Sequence, residues 1–262
     1  MKDKVVLVTG AAGGIGSAMC RRFAAEGARV VLMIRNNVEG AQALLREMGQ
    51  GDHLLVQADV ADASAITQAA ERVREKYGKL DVLVNNAGMT RQVAHADLDA
   101  LDDDLIDEIF RTNWRGAFAC VRAFLPLLVA AAADDDGRLG SEAVTIDDRQ
   151  SVVINISSIA GTTGLGSNVA YCASKAALDS MTRSLARALA PGIRVVSVAP
   201  GWVEGEYAKR MNAAMLDEQK QKTPLKKLAS AEDVAEAVYA VAVHLKHTTG
   251  CIIPVDGGRP LG

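Results

Sequence analysis

The sequence predicts an α/β protein built on one doubly wound parallel sheet of about seven strands with helices on both faces. Two patterns lead to this prediction. Short apolar runs alternate with segments of helical periodicity along the whole chain, and most of the runs are apolar at consecutive positions. Consecutive apolar positions are typical of strands buried on both faces, as in parallel sheets that are covered by helices.

The elements follow one another in a strand-helix order. The predicted strands are 5–9, 29–34, 53–57, 80–85, 151–157, 194–199 and 251–254. The predicted helices are 15–26, 39–48, 63–77, 103–131, 171–189 and 231–245. Because ligands of such sheets bind beyond the carboxyl ends of the strands, we expect the functional residues there.

Length and composition limit the possible functions. The 262 residues are 49% apolar and contain no linker or internal repeat, so we expect residues 1–262 to form a single domain. A net charge of −3 gives no electrostatic basis for a nucleic-acid partner. No signal peptide is evident and no run reaches the roughly 18 to 20 apolar residues of a membrane span, so we expect a cytoplasmic protein that binds no membrane.

Cysteines and histidines predict no metal site. Four cysteines are scattered without a C-x-x-C pair, which is typical of reduced thiols in a cytosolic enzyme. His244 and His247 lie near a helix end without an acidic or cysteine partner in register, so a solvated helix end explains them better than metal binding does.

A glycine-rich turn joins the first strand to the first helix. It reads Thr9-Gly-Ala-Ala-Gly-Gly-Ile-Gly16, with glycines at 10, 14 and 16 in a spacing that differs from G-x-G-x-x-G. Glycines permit close backbone approach, and the free N–H groups at a helix start favour a pyrophosphate. The turn therefore indicates a dinucleotide site.

A tyrosine and a lysine lie four residues apart in the helix predicted at 171–189. Tyr171 and Lys175 share one helix face, and a nearby cation lowers the pKa of a phenol from about 10 toward neutrality. Such a pair can act as a general acid-base, although a lysine stem packed on a ring is the alternative interpretation. Ser158 follows the strand at 151–157, and we expect its hydroxyl to face the same cleft.

With these motifs in place, the chain resembles the classical short-chain dehydrogenases/reductases, which have a Rossmann-like fold, over nearly its whole length. The turn at 9–16 is similar to their T-G-x-x-x-G-x-G, residues 85–88 read N-N-A-G, and Ser158, Tyr171 and Lys175 fall where the family has its catalytic trio. Asn113 falls at the place of a catalytic asparagine. Later landmarks are Pro200-Gly201 and Val255-Asp-Gly-Gly258.

The resemblance implies a role for each catalytic candidate. Tyr171 would exchange a proton with the substrate oxygen while hydride passes between substrate carbon and nicotinamide. Lys175 would lower the pKa of Tyr171 and hold the nicotinamide ribose, and Ser158 would hydrogen-bond the substrate oxygen. Asn113 would help to relay protons, unless it merely bonds the backbone at a helix irregularity. Ser157 and Asn85 are expected to be structural.

The resemblance also implies the cofactor contacts. Asp59 would hold the adenine amino group, with a helix cap as the competing interpretation, and Val60 would add a backbone contact. The expected cofactor-binding residues are Gly10, Gly14, Ile15, Gly16, Arg35, Asp59, Val60, Asn86, Ala87, Gly88, Tyr171, Lys175, Pro200, Gly201 and Val203.

The end of the second strand bears on the choice between NADP(H) and NAD(H). A carboxylate there would grip the ribose 2'-hydroxyl of NAD, but the chain has Ile34 followed by Arg35. Arg35 can pair with a 2'-phosphate, whereas the basic residue that some NADP-binding members have inside the glycine turn is Gly13 here. We therefore expect NADP(H), and NAD(H) remains possible if Arg35 only stacks on adenine.

The substrate is less well indicated. Residues 200–224 are expected to form a substrate-binding lid, in which Trp202, Tyr207, Met211 and Met215 would line an apolar pocket or form the buried face of a short helix. The family's threonine after Pro-Gly is replaced around residues 204–206. Residues 166–170 differ from the G-Q-A-N of ketoacyl-carrier reductases, so that activity has no specific support at this position.

An acidic insertion and the long helices complete the predictions. Residues 130–150 are expected to form an acidic surface loop, with a partner-docking role as the alternative.

By resemblance, helices 103–131 and 171–189 would pair in a homotetramer or homodimer. The small residues of the first helix would pack there or against the chain's own sheet.

These features lead to one leading hypothesis and two alternatives. The first is an NADP(H)-dependent oxidoreductase acting on a small to medium carbonyl or alcohol substrate. The alternatives are an NAD(H)-dependent alcohol or sugar dehydrogenase and a non-catalytic dinucleotide sensor or scaffold.

Overall fold

The computed structural model describes residues 1–133, 150–205 and 212–261. This part of the chain contains a seven-stranded parallel sheet in the order β3-β2-β1-β4-β5-β6-β7. The strands are β1 Val5–Thr9, β2 Arg29–Ile34, β3 Leu54–Gln57, β4 Val82–Asn85, β5 Ser151–Ile156, β6 Ile193–Pro200 and β7 Ile252–Val255. The chain moves outward from β1 to β3 and then returns to β4 on the other side of β1. The switch point where ligands bind in such sheets therefore lies between β1 and β4.

Helices cover both faces of the sheet, as the apolar strands predict. They are α1 Gly14–Ala25, α2 Val38–Met48, α3 Ala63–Tyr77, α4 Asp103–Phe110, α5 Ala117–Ala132, α6 Ala160–Thr163, α7 Val169–Leu189, α8 Ala213–Gln221 and α9 Ala231–Val243. Alternate residues of β1 serve the two faces: Val6 and Val8 pack with α1, α2 and α9, and Val5 and Leu7 pack with α3 and α5. The predicted fold is confirmed.

The helix predicted at 103–131 is interrupted by a π-helical turn, Arg111–Gly116, between α4 and α5. The side chain of Asn113 inside this turn bonds the backbone of Met89 and the hydroxyl of Ser174. These contacts anchor the extra residue of the π-turn.

The α4–α5 stretch also has the length and composition of a membrane span. Half of its most apolar window is buried inside the protein, and Cys120, Phe124 and Leu128 are completely enclosed in the core beneath the sheet. Burial against the sheet accounts for its apolar character. The small residues Ala117 and Ala119 are buried in the same chain as well.

Helix α6 has no counterpart among the predicted elements, and helix α8 lies where a short helix with a buried face was one of two alternatives. The four residues of α6 follow β5 and lie against α7, where a Cβ on Gly161 would come within 2.9 Å of the main chain of Lys175 and Ala176. Helix α8 has no buried residue, and Met215 is 47% exposed, so the stripe expected within the lid is not a buried face at this position. Tyr207, Met211 and nearly all of the acidic stretch at 130–150 lie outside the described residues.

Candidate active site

The glycine-rich turn brings the start of α1 close to the loop after β4. Gly10 has a φ of +65°, and a Cβ there would lie 3.1 Å from the Ala87 Cα. A Cβ on Gly16 would lie 2.3 Å from the Gly10 carbonyl oxygen, whereas one on Gly14 would meet nothing within 4 Å. Asn86 holds the turn by donating from Nδ2 to the carbonyl oxygens of Thr9 (2.9 Å) and Gly10 (3.2 Å). Gly10 and Gly16 are therefore required by packing, while Gly14 faces open space.

A cavity of about 860 Å³ lies over the carboxyl ends of β1 to β4. Its size and the glycine turn at its floor suit a dinucleotide. Eleven of the residues expected to bind a cofactor line it. They are Gly10, Gly14, Ile15, Gly16, Arg35, Asp59, Val60, Asn86, Ala87, Gly88 and Val203.

Arg35 and Asp59 lie together at the end of the cavity beyond β2 and β3. The Arg35 Nη1 is 4.0 Å from the Asp59 Oδ2, and both side chains are solvent-accessible. Asp59 Oδ1 accepts a hydrogen bond from the Ala61 N–H (2.8 Å), while Asp62 caps α3 by accepting from Ser64 and Ala65. The helix-cap interpretation of Asp59 is therefore wrong, because Asp62 has that role.

A second cavity of about 390 Å³ adjoins the first. The two share five lining residues, which are Ile15, Asn86, Gly88, Met89 and Val203. Ser158, Tyr171 and Lys175 line the second cavity, and so do Pro200 and Gly201. The fold thus brings the predicted trio together beside the larger cavity.

The start of α7 fixes the positions of Tyr171 and Lys175. Asn168 is completely buried and caps the helix by accepting a hydrogen bond from the Tyr171 N–H (2.7 Å). One turn further on, the Lys175 Nζ donates to the Ile156 carbonyl oxygen (2.7 Å) and lies 5.8 Å from the centre of the Tyr171 ring. Burial lowers the pKa of Lys175 to about 8, and the nearby charge of Asp179 acts in the opposite direction.

Ser158 lies just after the end of β5, where the chain turns into α6. Its hydroxyl oxygen accepts a hydrogen bond from the Ala160 N–H (3.2 Å) and retains its own proton for donation into the cavity. The neighbouring Ser157 donates to the Lys175 carbonyl oxygen (3.3 Å), and Asn85 donates to Asn155 on the adjacent strand (2.9 Å). Both of these residues have the structural contacts expected of them.

Asn113 lies behind the cavities and is only 1% exposed. Its Oδ1 accepts from the Met89 N–H (2.8 Å), and its Nδ2 donates to the Met89 carbonyl oxygen (3.0 Å) and to the Ser174 hydroxyl (3.1 Å). A Cβ on Gly88 would lie 3.4 Å from Asn113 Oδ1 and 3.7 Å from Lys175 Nζ. Asn113 thus braces the loop that passes beside Lys175.

Thr90 and Ser167 are cavity residues that the sequence patterns did not identify. Their hydroxyls hydrogen-bond each other, and both line the smaller cavity with Tyr171. The Asn168 side-chain amide donates to the Thr90 hydroxyl (3.4 Å) and to the Arg91 carbonyl oxygen next to it (2.7 Å). The position of Thr90 just beyond N-N-A-G, at a strand end, was the signal available in the sequence. Asn36 and Asn37 likewise line the larger cavity beyond β2.

Within the described residues, no group of three or more histidine, cysteine or acidic side chains is arranged to hold a metal ion. The site therefore consists of glycine backbone, one basic residue beyond β2, and hydroxyl, phenol and ammonium groups around the smaller cavity. These groups suit dinucleotide binding and proton transfer.

Comparison with known proteins agrees with this arrangement. The family model described as short chain dehydrogenase matches residues 4–216. A ketoacyl reductase named for the granaticin polyketide synthase of Streptomyces violaceoruber is 37% identical over 98% of this chain and 96% of its own. A 3-oxoacyl-acyl-carrier-protein reductase of Thermotoga maritima is 32% identical over 98% of each chain.

Solved structures give the same result. A short-chain dehydrogenase/reductase of Burkholderia xenovorans superposes with a TM-score of 0.87 at 33% identity, covering 100% of both chains. One of Brucella melitensis, titled a glucose/ribitol dehydrogenase, superposes with a TM-score of 0.86 at 28% identity over 99% of this chain and 97% of its own. The chain belongs to the short-chain dehydrogenase/reductase family and is an NAD(P)-dependent oxidoreductase.

Proposed function

We propose that this enzyme transfers a hydride between NADP(H) and the carbonyl carbon of a small to medium ketone or its secondary alcohol. The observation that carries this proposal is the position of Ser158, Tyr171 and Lys175 on one cavity that adjoins the dinucleotide-sized one. The intact trio argues against a non-catalytic sensor, which would not need a phenol, an ammonium and a hydroxyl around the same space.

In the reductive direction Tyr171 donates its proton to the substrate oxygen. Ser158 donates a hydrogen bond to the same oxygen, where negative charge develops. The reduced nicotinamide supplies the hydride. Lys175 stabilises the phenolate that remains on Tyr171, because its ammonium lies on the same face of α7 within 5.8 Å of the ring centre. The reduction thus adds a hydride to the carbonyl carbon and the phenol proton to its oxygen, which gives the neutral secondary alcohol.

Asn113 is proposed as the relay and positioning residue of the set. Because its amide group is committed to Met89 and Ser174, a relay would pass through its main chain within the π-helical turn rather than through its side chain. Its side chain keeps the loop at Gly88 and Met89 beside Lys175.

NADP(H) is proposed over NAD(H) because Arg35 follows β2 where a carboxylate would be needed to favour NAD. The Arg35 guanidinium lines the larger cavity, its side chain is 58% exposed, and among residues 1–133, 150–205 and 212–261 its ion pair is a long 4.0 Å contact with Asp59. A loosely paired guanidinium can turn toward a 2'-phosphate. Asp59 and Val60 remain the proposed adenine contacts, and Pro200, Gly201 and Val203 the proposed nicotinamide-side contacts.

A β-ketoacyl thioester is a second candidate substrate, favoured by the relatives named as ketoacyl reductases. These relatives match nearly the whole chain although residues 166–170 depart from G-Q-A-N. Thr90 and Ser167 would offer hydroxyls to a second substrate oxygen.

Residues 200–224 remain the proposed lid. The proposed organisation remains a single cytoplasmic domain that forms a homotetramer or homodimer.

Paired titrations of NADPH and NADH into the purified protein, followed by turnover assays, test this proposal. The assays use cyclohexanone-type ketones and a 3-oxoacyl thioester, and compare the wild type with Arg35→Ala. We expect NADPH to bind more tightly than NADH, and Arg35→Ala to weaken NADPH binding about tenfold or more while leaving NADH binding unchanged. Equal weakening of both cofactors would contradict the assignment of Arg35, and binding of NADPH without turnover of any ketone would contradict the proposed reaction.

A further inference from the structure

A buried carboxylate lies one helical turn beyond Lys175. Asp179 is only 3% exposed, and it follows Lys175 by four residues on the inward face of α7. Neither of its carboxylate oxygens accepts a hydrogen bond of ordinary geometry from the described part of the chain. No role in the reaction described above accounts for it.

The polar groups around Asp179 are committed to other partners. Ser157 and Ser197 are close enough to lower the pKa of the carboxyl, but the Ser157 hydroxyl donates to the Lys175 carbonyl oxygen (3.3 Å). The Ser197 hydroxyl shares a 2.8 Å hydrogen bond with Thr182, which in turn accepts from Asn155 (2.8 Å). The network of hydroxyls and amides therefore surrounds the carboxylate without satisfying it.

An isolated charge in such a place is costly, so a buried carboxylate needs a cation or a proton. From α7 two cations act on Asp179, the buried ammonium of Lys175 and the exposed guanidinium of Arg183. The groups that act on it from β6 and from the end of β5 are the uncharged Ser197 and Ser157. The Lys175 ammonium is buried as well, and it donates a hydrogen bond to the neutral Ile156 carbonyl oxygen.

We propose that Asp179 is a positioning residue whose carboxylate is the counter-charge that keeps the buried Lys175 side chain an ammonium. The inference rests on the role proposed for Lys175 in catalysis. Asp179 touches neither cavity, and it acts on Tyr171 only through Lys175.

The direction of the pKa shifts supports this reading. Burial lowers the pKa of Lys175 to about 8, and Asp179 raises it against that effect. Burial raises the pKa of Asp179, while the Ser157 and Ser197 hydroxyls, then the charges of Arg183 and Lys175, lower it. Removing the negative charge at 179 therefore lowers the pKa of Lys175 further, and the ammonium is lost at a lower pH.

The direct test is an NMR titration of protein labelled with ¹³C at the lysine ε carbons, with the Lys175 signal assigned by its loss in Lys175→Arg. We expect Asp179→Asn to move the Lys175 titration to lower pH by about one unit, because the loss of a nearby opposite charge disfavours the ammonium. In Asp179→Glu the Lys175 pKa should return most of the way to its wild-type value. Thr182→Val alters the same hydrogen-bond network without changing charge, and it should leave the Lys175 pKa unchanged. An unshifted Lys175 in folded Asp179→Asn would overturn the proposal.

A reciprocal measurement remains available if Asp179→Asn does not fold. In Lys175→Met protein labelled at the aspartate γ carbons, Asp179 should take up a proton at a higher pH than in the wild type, whereas Lys175→Arg should change it much less. If the pKa of Asp179 were the same in Lys175→Met as in the wild type, the pairing would be refuted.

The pH dependence of ketone reduction should also change when the charge of Asp179 is removed. The alkaline limb of kcat/KM for ketone reduction should move to lower pH in Asp179→Asn, with a smaller effect on KM than on kcat. If the wild type reduced no ketone, the proposed function would fail, and the two NMR titrations would still decide whether Asp179 and Lys175 are paired.

Discussion

Tyr171 and Lys175 owe their relative position to the first two turns of α7. The buried Asn168 begins the helix, and the hydrogen bond from Lys175 to Ile156 ties the second turn to the end of β5. The helical period then places the ammonium beside the ring without any contact between distant loops. This is why the pair could be predicted from the sequence alone.

Other residues of the site could not be predicted in this way. Thr90 and Ser167 are 77 residues apart and meet only because the loop after β4 lies against the start of α7. The two contacts of Asn113 likewise join it to Met89 and Ser174, which are 24 and 61 residues away. No local pattern encodes such pairs, and the sequence could name Asn113 only through resemblance.

Replacing the proposed proton donor should slow turnover strongly without disturbing the fold. Tyr171→Phe removes one hydroxyl, and we expect kcat/KM for ketone reduction to fall by about 10²–10⁴, the range of general acid catalysis. NADPH binding measured by fluorescence titration should remain close to that of the wild type. Tyr239→Phe is the matched control, because Tyr239 packs against Phe23 and Arg22 between α1 and α9. Substantial residual turnover in Tyr171→Phe would assign the proton transfer to another group.

At the scale of elements, the strands were predicted most accurately because their burial on both faces gives an unbroken apolar run. Strands β1 and β2 coincide with the predicted runs 5–9 and 29–34. The π-helical turn at Arg111–Gly116 interrupts the helix predicted at 103–131, and the short helix α8 has no buried face, although a buried face was the alternative expected for a helix there. The first depends on long-range bonds of Asn113, and the second has no buried face to give an apolar period.

Two glycines of the first turn should respond differently to the same added methyl group. Gly16→Ala would place a Cβ 2.3 Å from the Gly10 carbonyl oxygen, so we expect a distorted turn, a lower Tm and weak cofactor binding. Gly14→Ala meets no protein atom within 4 Å, so its Tm should stay close to that of the wild type while dinucleotide binding weakens. Calorimetry and NADPH titration of both variants measure these effects. A large loss of Tm in Gly14→Ala would contradict the reading that this position faces the cofactor space.

A buried arginine closes the end of α9. The Arg194 guanidinium on β6 donates to the carbonyl oxygen of Val241 in the last turn of α9 (3.0 Å) and to those of Leu245 (3.1 Å) and Thr248 (3.2 Å) in the segment that follows. We expect Arg194→Met to lower the free energy of unfolding by about 2 kcal/mol or more, because buried acceptors lose a charged donor. Urea denaturation measures this loss. The control is Arg187→Met in the exposed last turn of α7, which should change little, and an equal loss in both variants would argue against the cap.

At the scale of the whole molecule, the small residues of α5 are used largely within the chain, since Ala117, Ala119 and Cys120 are buried in its own core. The face left for a second copy contains Trp114 and Phe118, whose rings stack with centres 6.0 Å apart, beside the partly buried Leu185 of α7. The proposed assembly would cover these rings. The sequence predicted the two helices of this face but not the residues that stay uncovered.

Placing a charge on this face tests the assembly. We expect the wild type to behave as a tetramer or dimer in sedimentation velocity, and Phe118→Asp to shift it toward the monomer, because an interface cannot accept an unpaired carboxylate at its centre. Gln68→Asp, which adds the same charge at an exposed position of α3, is the control. A monomeric wild type would rule out the proposed assembly.

The sheet order sets the site at the switch between β1 and β4, where the larger cavity meets the smaller one that contains Ser158, Tyr171 and Lys175. The central claim is that hydride crosses this junction to a ketone. The most direct measurement is to incubate the enzyme with NADPH dideuterated at C4 and a 3-oxoacyl thioester or cyclic ketone, and to locate deuterium in the product by mass spectrometry and NMR. We expect one deuterium on the carbinol carbon with the wild type, and at least about a hundredfold less of the same labelled alcohol from Tyr171→Phe in the same time. An alcohol product without deuterium at that carbon, or as much labelled alcohol from Tyr171→Phe as from the wild type, would contradict the account.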